Sequence, residues 1–209
     1  MSAVVPGLRP RKSPVQARSS ATVETLRVAA IQVLTREGLS RCTTTRIAER
    51  AGMSVGSLYQ YFPNRDALLA AVLEKHLDGV AGAVDRACRA HRGKPVPQMA
   101  AALVTAFLAA KLRAPEESKA LYAVAEERGG PELVARMHKR IVAAIADMLA
   151  SAPDADFDEP AMTSAIAFSA LVGPIRTLLE GHAPAGFEAR LEEQLILLLT
   201  AYFDTRRRR

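Results

Sequence analysis

The side chains best suited to chemistry lie in one short segment near the N-terminus, between Thr43 and Arg65. This segment carries hydroxyl, phenol, amide and guanidinium groups, all of which donate hydrogen bonds to phosphate oxygens or to the edges of nucleic-acid bases. A helix that begins at Ser or Thr adds its own unpaired backbone N–H groups, which attract anions. The chemistry that the segment predicts is therefore recognition of a polyanion.

Residues typical of catalysis and metal binding are scattered along the sequence. No histidine pair has metal-ligand spacing, and the four histidines are His76, His91, His138 and His182. The chain has no P-loop, no G-x-G-x-x-G and no G-x-S-x-G sequence. Two cysteines, Cys42 and Cys88, are too few for a disulfide scaffold and are expected to be reduced thiols. We therefore expect no enzymatic activity, no cofactor and no bound metal.

Charge is distributed unevenly along the 209 residues. Residues 1–65 hold ten Lys or Arg against three acidic residues, a net charge of +7, whereas residues 66–205 hold 14 against 19, a net charge of −5. Arg206–Arg209 add four positive charges at the C-terminus, where a solvated tail is the ordinary interpretation. The basic N-terminal part predicts a polyanionic partner such as nucleic acid.

The overall composition is that of a globular protein, with 49% hydrophobic and 24% charged residues. The N-terminus lacks the apolar stretch of a secretory signal. The longest uncharged runs, Pro95–Ala110 and Ala161–Ile175, fall short of the ~20 apolar residues that span a bilayer. We therefore expect a soluble, cytoplasmic protein without a membrane partner.

Hydrophobic periodicity predicts helices along nearly the whole chain and no strand. Apolar residues recur at steps of three, four and seven, and Ser, Thr, Asn, Gly and Pro mark the helix ends. The nine predicted helices run from about residue 22 to 37, 44 to 51, 55 to 61, 65 to 89, 95 to 113, 116 to 128, 131 to 150, 161 to 180 and 187 to 203. The predicted fold class is all-α.

Two of these helices are short and are joined by a turn at Gly52. Thr44 can cap the first helix and Ser54 the second, while Gly52 supplies the positive φ that a tight turn needs. Ala48 is small where the two helices must cross closely. This spacing predicts a helix-turn-helix, whose second helix lies in the major groove of DNA.

Residues 22–69 resemble the DNA-binding domain of the TetR family of bacterial transcriptional regulators. The residues that carry the resemblance are Ala29, Ala30, Gly38, Thr43, Thr44, Ile47, Ala48, Ala51, Gly52, Met53, Ser54, Leu58, Tyr59, Tyr61, Phe62, Asn64, Leu68 and Leu69. The order Ile-Ala, Ala-Gly-x-Ser and Leu-Tyr-x-Tyr-Phe is a stronger signal than a bare helix-turn-helix spacing. The resemblance implies an N-terminal three-helix DNA-binding domain followed by a helical ligand-binding and dimerisation domain.

Four segments are expected on this basis. They are a flexible basic arm over residues 1–19, the helix-turn-helix domain over 20–66, the effector-binding and dimerisation domain over 67–205, and a basic tail over 206–209. The arm could reach the minor groove or flanking phosphates, or it could be only a solubilising tail. Both alternatives are open from the sequence.

The resemblance also implies which side chains read bases. Val55, Gly56 and Ser57 open the recognition helix, where Val55 can touch a thymine methyl and Ser57 can donate to a base or a phosphate. Ordinary helix N-terminal chemistry is the alternative for Val55 and Gly56. Arg46 and Gln60 are the candidates for donor and acceptor readout of base edges.

A second implied group contacts the phosphate backbone of DNA. Its members are Thr44, Thr45, Tyr59, Tyr61 and Arg65. Core packing of the small domain is the alternative for the two tyrosines, and a solvated charge is the alternative for Arg65.

The last two predicted helices are apolar on more than one face. Such helices are typically buried both against their own core and against a second subunit, although a central core position within a monomer is the alternative. The side chains expected at the dimer interface are Ile166, Leu171, Ile175, Leu178, Leu191, Leu195, Leu198 and Tyr202.

A regulator of this family implies an effector cavity among the later helices. The candidate lining residues are Met99, Leu103, Phe107, Tyr122, Met137, His138, Ile141 and Phe168, each of which could instead be ordinary core. Aromatic residues make up 5% of the chain and Trp is absent, which favours an aliphatic cavity and an apolar or amphipathic effector. His138 or Glu126 could anchor a polar group of that effector.

The sequence therefore predicts a ligand-responsive, homodimeric transcriptional regulator. A repressor that binds a palindromic operator and is released by a small effector is the leading hypothesis. An activator, an effector-independent regulator and an all-helical protein-interaction module are the alternatives.

Overall fold

The structure, a computed structural model, describes residues 17–205 and confirms the all-α fold. The nine α-helices of this part are α1 (Ala17–Glu37), α2 (Thr44–Arg50), α3 (Val55–Tyr61), α4 (Arg65–Ala90), α5 (Val96–Leu112), α6 (Pro115–Ala125), α7 (Gly130–Leu149), α8 (Pro160–Leu179) and α9 (Phe187–Asp204). A short 3-10 helix, Leu39–Arg41, lies between α1 and α2. No β-strand occurs between residues 17 and 205.

The first helix begins five residues earlier than periodicity predicts. Helix α1 starts at Ala17, so residues 17–19, which were assigned to the basic arm, are helical. The reason is local, because residues 17–21 contain no Pro or Gly that would stop the helix from extending. The rest of the predicted arm and Arg206–Arg209 lie outside the described residues.

Two helix starts differ in their chemistry from the prediction. Thr43, and not Thr44, is the N-cap of α2, because its hydroxyl accepts a hydrogen bond from the Arg46 backbone N–H at 3.3 Å. Pro115 is the first residue of α6 and not a break before it, which suits a residue that has no N–H to satisfy in the first helical turn.

The chain folds into two compact units. Within the described residues, the first contains 17–77 together with 116–134, and the second contains 78–115 and 135–205. The first unit thus includes α6, which the sequence placed in the effector domain. A contact between His76 Nδ1 of α4 and Glu117 Oε1 of α6, which lie 3.4 Å apart, is one of those that join α6 to this unit.

The core of the first unit forms where α1 packs against α2 and α2 packs against α3. The side chains at its centre have no solvent-accessible surface, and the largest are Leu26, Ile47, Leu58, Phe62 and Leu68. Each belongs to the apolar stripe of its helix or, for Phe62, follows α3 directly. Burial of this stripe fixes α2 and α3 on α1 and leaves their opposite faces to solvent.

In the second unit α5 packs against α9 and α8, and α8 packs against α9. Arg140 of α7 binds the second half of α4, since its Nε donates to Asp85 Oδ2 at 2.7 Å and its Nη2 lies 2.5 Å from the same oxygen. The N-terminus of α5 is capped from a later loop, where Asp154 Oδ1 accepts from the Val96 N–H at 3.0 Å. These contacts hold α7 to the second half of α4 and the start of α5 to the loop after α7. They thereby position the side chains that these helices carry.

Helix α8 is long and apolar enough to cross a bilayer by length and composition alone. Its buried side chains include Phe168, Leu171 and Ile175, which have 0–1% of their surface exposed within the second unit. The helix also carries Pro174 in its interior. One face of α8 is therefore buried in the core of the second unit.

Candidate functional site

Helices α2 and α3 meet in a tight turn that sets their crossing. Gly52 has φ of 67°, as the sequence predicts, and the Met53 N–H donates to the Ala48 carbonyl oxygen at 2.9 Å. Ala48 and Leu58 are fully buried where the helices pack. The pair therefore forms the predicted helix-turn-helix, with α3 in the position of the recognition helix.

The N-terminus of α3 is held by two serines. Ser54 Oγ accepts from the Ser57 N–H at 3.1 Å and lies 2.9 Å from Ser57 Oγ. Gly56, Tyr59 and Gln60 are exposed along the helix, whereas Val55, Ser57 and Tyr61 are half-buried. The outer face of α3 thus presents a phenol, an amide and a position with no side chain.

The start of α2 lies beside that face. The Thr44 hydroxyl oxygen is 3.3 Å from the Tyr59 hydroxyl oxygen, so the two groups form one hydrogen-bonding pair across α2 and α3. Thr44 is half-buried and Thr45 is exposed next to it. The structure therefore brings together three of the five residues that the sequence assigned to the phosphate backbone.

Arg46 is exposed, but its guanidinium pairs with the Glu37 carboxylate of α1. A turn later, Arg50 Nε donates to Gln32 Oε1 at 2.6 Å, also on α1. The basic side chains of α2 are thus directed towards α1 in this structure. To contact a base, Arg46 must break its pairing with Glu37 and turn its guanidinium towards the DNA.

Arg65, at the first position of α4, is held between two carboxylates. Its Nε lies 2.9 Å from Asp66 Oδ1, and its Nη2 lies 4.0 Å from Glu127 Oε2 just after α6. The chain turns sharply beyond Glu127, since a Cβ at Gly130 would lie 2.4 Å from the Ala125 carbonyl oxygen. Sequence reasoning missed Glu127, because nothing in its local pattern points to a residue 62 positions away.

Most of the candidate ligand residues lie in the second unit. Met99, Leu103, Phe107, Ile141 and Phe168 are buried, with at most 3% of their surface exposed, while Met137 and His138 are half-buried. Three rings form a cluster: the centroids of Phe107 and Phe168 are 5.2 Å apart at 72°, and those of His138 and Phe168 are 5.2 Å apart at 57°. Tyr122 is half-buried and belongs to the first unit, as does the exposed Glu126.

One buried polar residue of the second unit was missed from the sequence. Lys111 of α5 has 8% of its surface exposed, and this burial lowers its pKa from 10.5 to about 8. It follows Phe107 by four residues and Leu103 by eight, so all three lie on one face of α5. Continuing the four-residue spacing of Leu103 and Phe107 by one more helical turn would have identified Lys111 from the sequence.

The candidate dimer residues divide into two groups. Leu171, Ile175, Leu191 and Leu195 have 4% or less of their surface exposed, so they pack the core of their own unit and offer no surface to a second copy. This corrects their placement on the interface, and the cause is that the apolar pattern of α8 and α9 does not mark which face is inward.

The remaining candidates keep solvent-exposed surface. Ile166 and Leu198 have 49% and 48% of their surface exposed, and Leu178 and Tyr202 are half-buried. Met162 and Leu197 are exposed beside them at 55% and 62%. Helices α8 and α9 therefore carry an apolar outer surface, defined here by Met162, Ile166, Leu197 and Leu198.

Metal and thiol chemistry find little support in the described part of the chain. Between residues 17 and 205 no group of three or more His, Cys, Asp or Glu side chains is arranged to hold a metal ion. Cys42 and Cys88 are buried and free of disulfides. Burial raises the pKa of the Cys42 thiol to about 11 and that of Cys88 to about 12, so both are protonated and unreactive near neutral pH.

Comparison with known families agrees with these elements. Residues 26–72 match the family described as bacterial regulatory proteins, tetR family. Residues 95–203 match the family described as tetracyclin repressor-like, C-terminal domain. The two matches cover the helix-turn-helix and the helices that carry the ring cluster and the apolar outer surface.

Individual proteins resemble this chain in part of their sequence or in their fold. The nucleoid occlusion factor SlmA of Actinobacillus pleuropneumoniae is 34% identical over 73 residues, which span 34% of this chain and 34% of that relative. A Mesorhizobium loti protein described as a TetR-family transcriptional regulator superposes with a TM-score of 0.74 at 16% identity, covering 91% of this chain and 98% of its own. SmeT, the repressor of the Stenotrophomonas maltophilia multidrug efflux pump SmeDEF, superposes with a TM-score of 0.67 at 16% identity, covering 89% and 90%.

Proposed function

The chain belongs to the TetR family of bacterial regulatory proteins, and from this membership we propose that it is a cytoplasmic, ligand-responsive transcriptional repressor. It binds a near-palindromic operator as a homodimer, and a small effector releases it. Each part of this proposal has its own structural support.

DNA binding is supported above all by the outer face of α3. The exposed Tyr59 and Gln60 stand beside the Thr44 hydroxyl at the start of α2. The phenol and the hydroxyl suit phosphate oxygens, and the amide of Gln60 suits a base edge. Because Gly56 has no side chain, α3 can approach the floor of the major groove closely. The net charge of +7 over residues 1–65 adds the salt-dependent attraction that binding to DNA needs.

Self-association is supported by the apolar outer surface of α8 and α9. Met162 and Ile166 lie one turn apart on α8, and Ser169 and Gly173 continue the same exposed row with small side chains. Small residues let a second helix approach closely, and the exposed leucines of α9 supply apolar area. A two-fold interface presents the same patch from both copies. Two copies of α3 then read two half-sites one DNA turn apart, ~34–36 Å.

Response to an effector is supported by the side chains around Phe107 and Phe168. Their edge-to-face contact, with the half-buried His138 ring beside it, forms an apolar and aromatic wall in the second unit. A ligand that binds one conformation of this unit better than another shifts the population between them. The repressor is released when the favoured conformation holds the two copies of α3 at a spacing that DNA does not match.

A selection from random duplex oligonucleotides with the full chain tests the DNA-binding part. We expect an enriched, near-palindromic sequence whose binding weakens steeply as salt rises. A Gln60→Ala variant should lose preference at one symmetric pair of base positions, whereas Glu74→Ala, on the exposed side of α4, should select the same sequence. Failure to enrich any sequence would contradict the proposal.

A reporter gene placed behind the selected operator separates repressor from activator. Expression that falls when the protein is supplied supports the repressor, and expression that rises identifies an activator. Thermal-shift screening of the purified dimer against small apolar and amphipathic compounds then tests for an effector. A compound that raises the melting temperature should also release the operator in an anisotropy titration.

A further inference from the structure

Arg41 lies in the turn between α1 and α2, and hydrogen bonds fix the backbone of that turn. The Cys42 N–H donates to the Leu39 carbonyl oxygen at 3.2 Å, and the Thr43 N–H donates to the Arg41 carbonyl oxygen at 2.9 Å. Cys42 has φ of −76° and ψ of 77°, close to the values of an inverse γ-turn. Thr43 in turn caps α2. Arg41 is therefore held in a defined backbone conformation directly before the helix-turn-helix.

The side chain of Cys42 anchors this turn in the core and leaves its neighbours outside. Cys42 has no exposed surface, and its thiol donates to the Ala30 carbonyl oxygen of α1 at 3.8 Å. Arg41 and Thr43, on either side of it, are both exposed. Arg41 thus presents its side chain to solvent from a fixed backbone. A ligand that binds there orders less of the chain than one held by a loose loop, so less conformational entropy is lost.

Arg41 differs from most arginines between residues 20 and 65 in having no partner for its charge. Four others pair with a carboxylate or an amide of the chain, namely Arg27, Arg46, Arg50 and Arg65. Arg41 makes no hydrogen bond or ion pair through its side chain with any described residue. Arg36 shares this state, but it belongs to α1 and not to the turn before α2. The guanidinium of Arg41 can therefore bind an anion without first giving up an acceptor within the chain.

Other hydrogen-bond donors stand close to this turn. Thr44 follows Arg41 by three residues, so their Cα atoms are no more than ~11 Å apart, and the Thr44 hydroxyl oxygen lies 3.3 Å from that of Tyr59. Burial raises the pKa of the Cys42 thiol to about 11, and the positive charge of Arg65 limits the rise, which places that guanidinium near the same turn. Hydroxyl and guanidinium groups both donate to phosphate oxygens.

We propose that Arg41 binds a backbone phosphate of the operator, next to the phosphate that Thr44 and Tyr59 contact. This inference rests on the DNA binding proposed above and adds to it a cationic contact at the start of α2. In a helix-turn-helix the first helix crosses the DNA backbone, so a residue directly before α2 meets a phosphate and not a base. Thr44 and Tyr59 carry no charge, whereas a guanidinium bonds a phosphate with two donors and releases its counterions.

Titration of the selected operator with the full-length protein at four salt concentrations tests the inference. Arg41→Ala should lower the affinity on the order of tenfold or more at about 0.1 M salt and reduce the slope of log affinity against log salt by about two, since a dimer loses two phosphate contacts. Arg41→Lys should keep the slope, because the charge remains. Arg86→Ala, the control, removes an exposed arginine of the second unit and should leave affinity and slope unchanged.

Operators in which single phosphates are replaced by neutral methylphosphonates separate a direct contact from the general field of the charge. One symmetric pair of replacements should weaken binding of the wild type by about tenfold and that of Arg41→Ala very little, because the variant has already lost this contact. Replacements at other phosphates should weaken both proteins equally. Arg41→Gln provides the same comparison if Arg41→Ala fails to fold.

Two results overturn the inference: a variant without the Arg41 charge that keeps the wild-type salt slope, or equal responses of variant and wild type at every replaced phosphate. The selection experiment on the wild type is the separate readout of the regulatory function. A wild type that binds no selected sequence contradicts that function, and this contact with it. A wild type that binds its operator with a slope independent of Arg41 contradicts only the contact.

Discussion

The hydroxyl oxygens of Thr44 and Tyr59 lie 3.3 Å apart, and this pair joins the first turn of α2 to the outer face of α3. Tyr59 has 41% of its surface exposed, so its hydroxyl can reach solvent or a ligand without movement of the core. Either hydroxyl can donate in the pair, which leaves a proton of the other available for a phosphate oxygen. The pair therefore places one free hydroxyl proton at the surface where α2 and α3 meet.

Replacing Tyr59 by Phe should weaken operator binding without unfolding the protein. The lost hydrogen bond to phosphate is worth about 1 kcal/mol in each subunit, or roughly tenfold or more in the affinity of a dimer. Because no charge is removed, the slope of log affinity against log salt should not change. Fluorescence anisotropy at four salt concentrations measures both quantities. Tyr122→Phe on α6, measured without effector, is the matched control, and equal affinity of Tyr59→Phe and the wild type would exclude a contact from this hydroxyl.

Sequence reasoning predicts the helix-turn-helix well because its constraints are local. A left-handed Gly52, a Ser54 cap and the buried Ala48 and Leu58 are all specified within a few residues of one another. Local steric and hydrogen-bonding rules are sufficient here, so the predicted and observed elements agree closely.

Features set by contacts between distant residues could not be predicted in this way. An apolar helix such as α8 gives the same sequence pattern whether a given face meets the core or solvent. Ile166 and Leu171 differ in exposure, 49% against 0%, although both are large and aliphatic. The pairing of Arg65 with Glu127 likewise depends on how α6 folds back on α4.

Neutralising Glu127 should strengthen operator binding slightly. Glu127 lies 4.0 Å from Arg65 and is 45% exposed at its side chain, so it competes weakly with a phosphate for the guanidinium. We expect Glu127→Gln to raise the affinity by no more than about threefold, and Glu126→Gln, its exposed neighbour, to have a smaller effect.

Arg65→Ala should lower the affinity and reduce the salt slope by about two for a dimer that loses two phosphate contacts. An unchanged salt slope would remove Arg65 from the backbone contacts.

A charge on the apolar outer surface should separate the subunits, whereas a charge in the core should unfold them. Leu198→Glu places a carboxylate where 48% of the native side chain is exposed, so the single chain should tolerate it and the dimer should not. Ala143→Glu, on the exposed side of α7, is the control that should stay dimeric. Sedimentation velocity and circular dichroism distinguish the outcomes. A Leu198→Glu protein that remains dimeric would place the interface elsewhere.

The buried Lys111 predicts an unusual dependence of stability on pH. Its pKa is about 8 in the folded chain and 10.5 when exposed, so between these values the unfolded chain binds more protons than the folded one. Stability should therefore rise with pH across this window, by at most about 3 kcal/mol from this residue. Below pH 8 the destabilisation is fully present, and Lys111→Met should then be the more stable protein in urea titrations.

The two buried thiols have raised pKa values and act in the opposite direction above pH 9, but they are common to both proteins and cancel in the difference. A stability difference between Lys111→Met and the wild type that stays constant from pH 7 to pH 10 would show that Lys111 keeps its ordinary pKa in the folded chain.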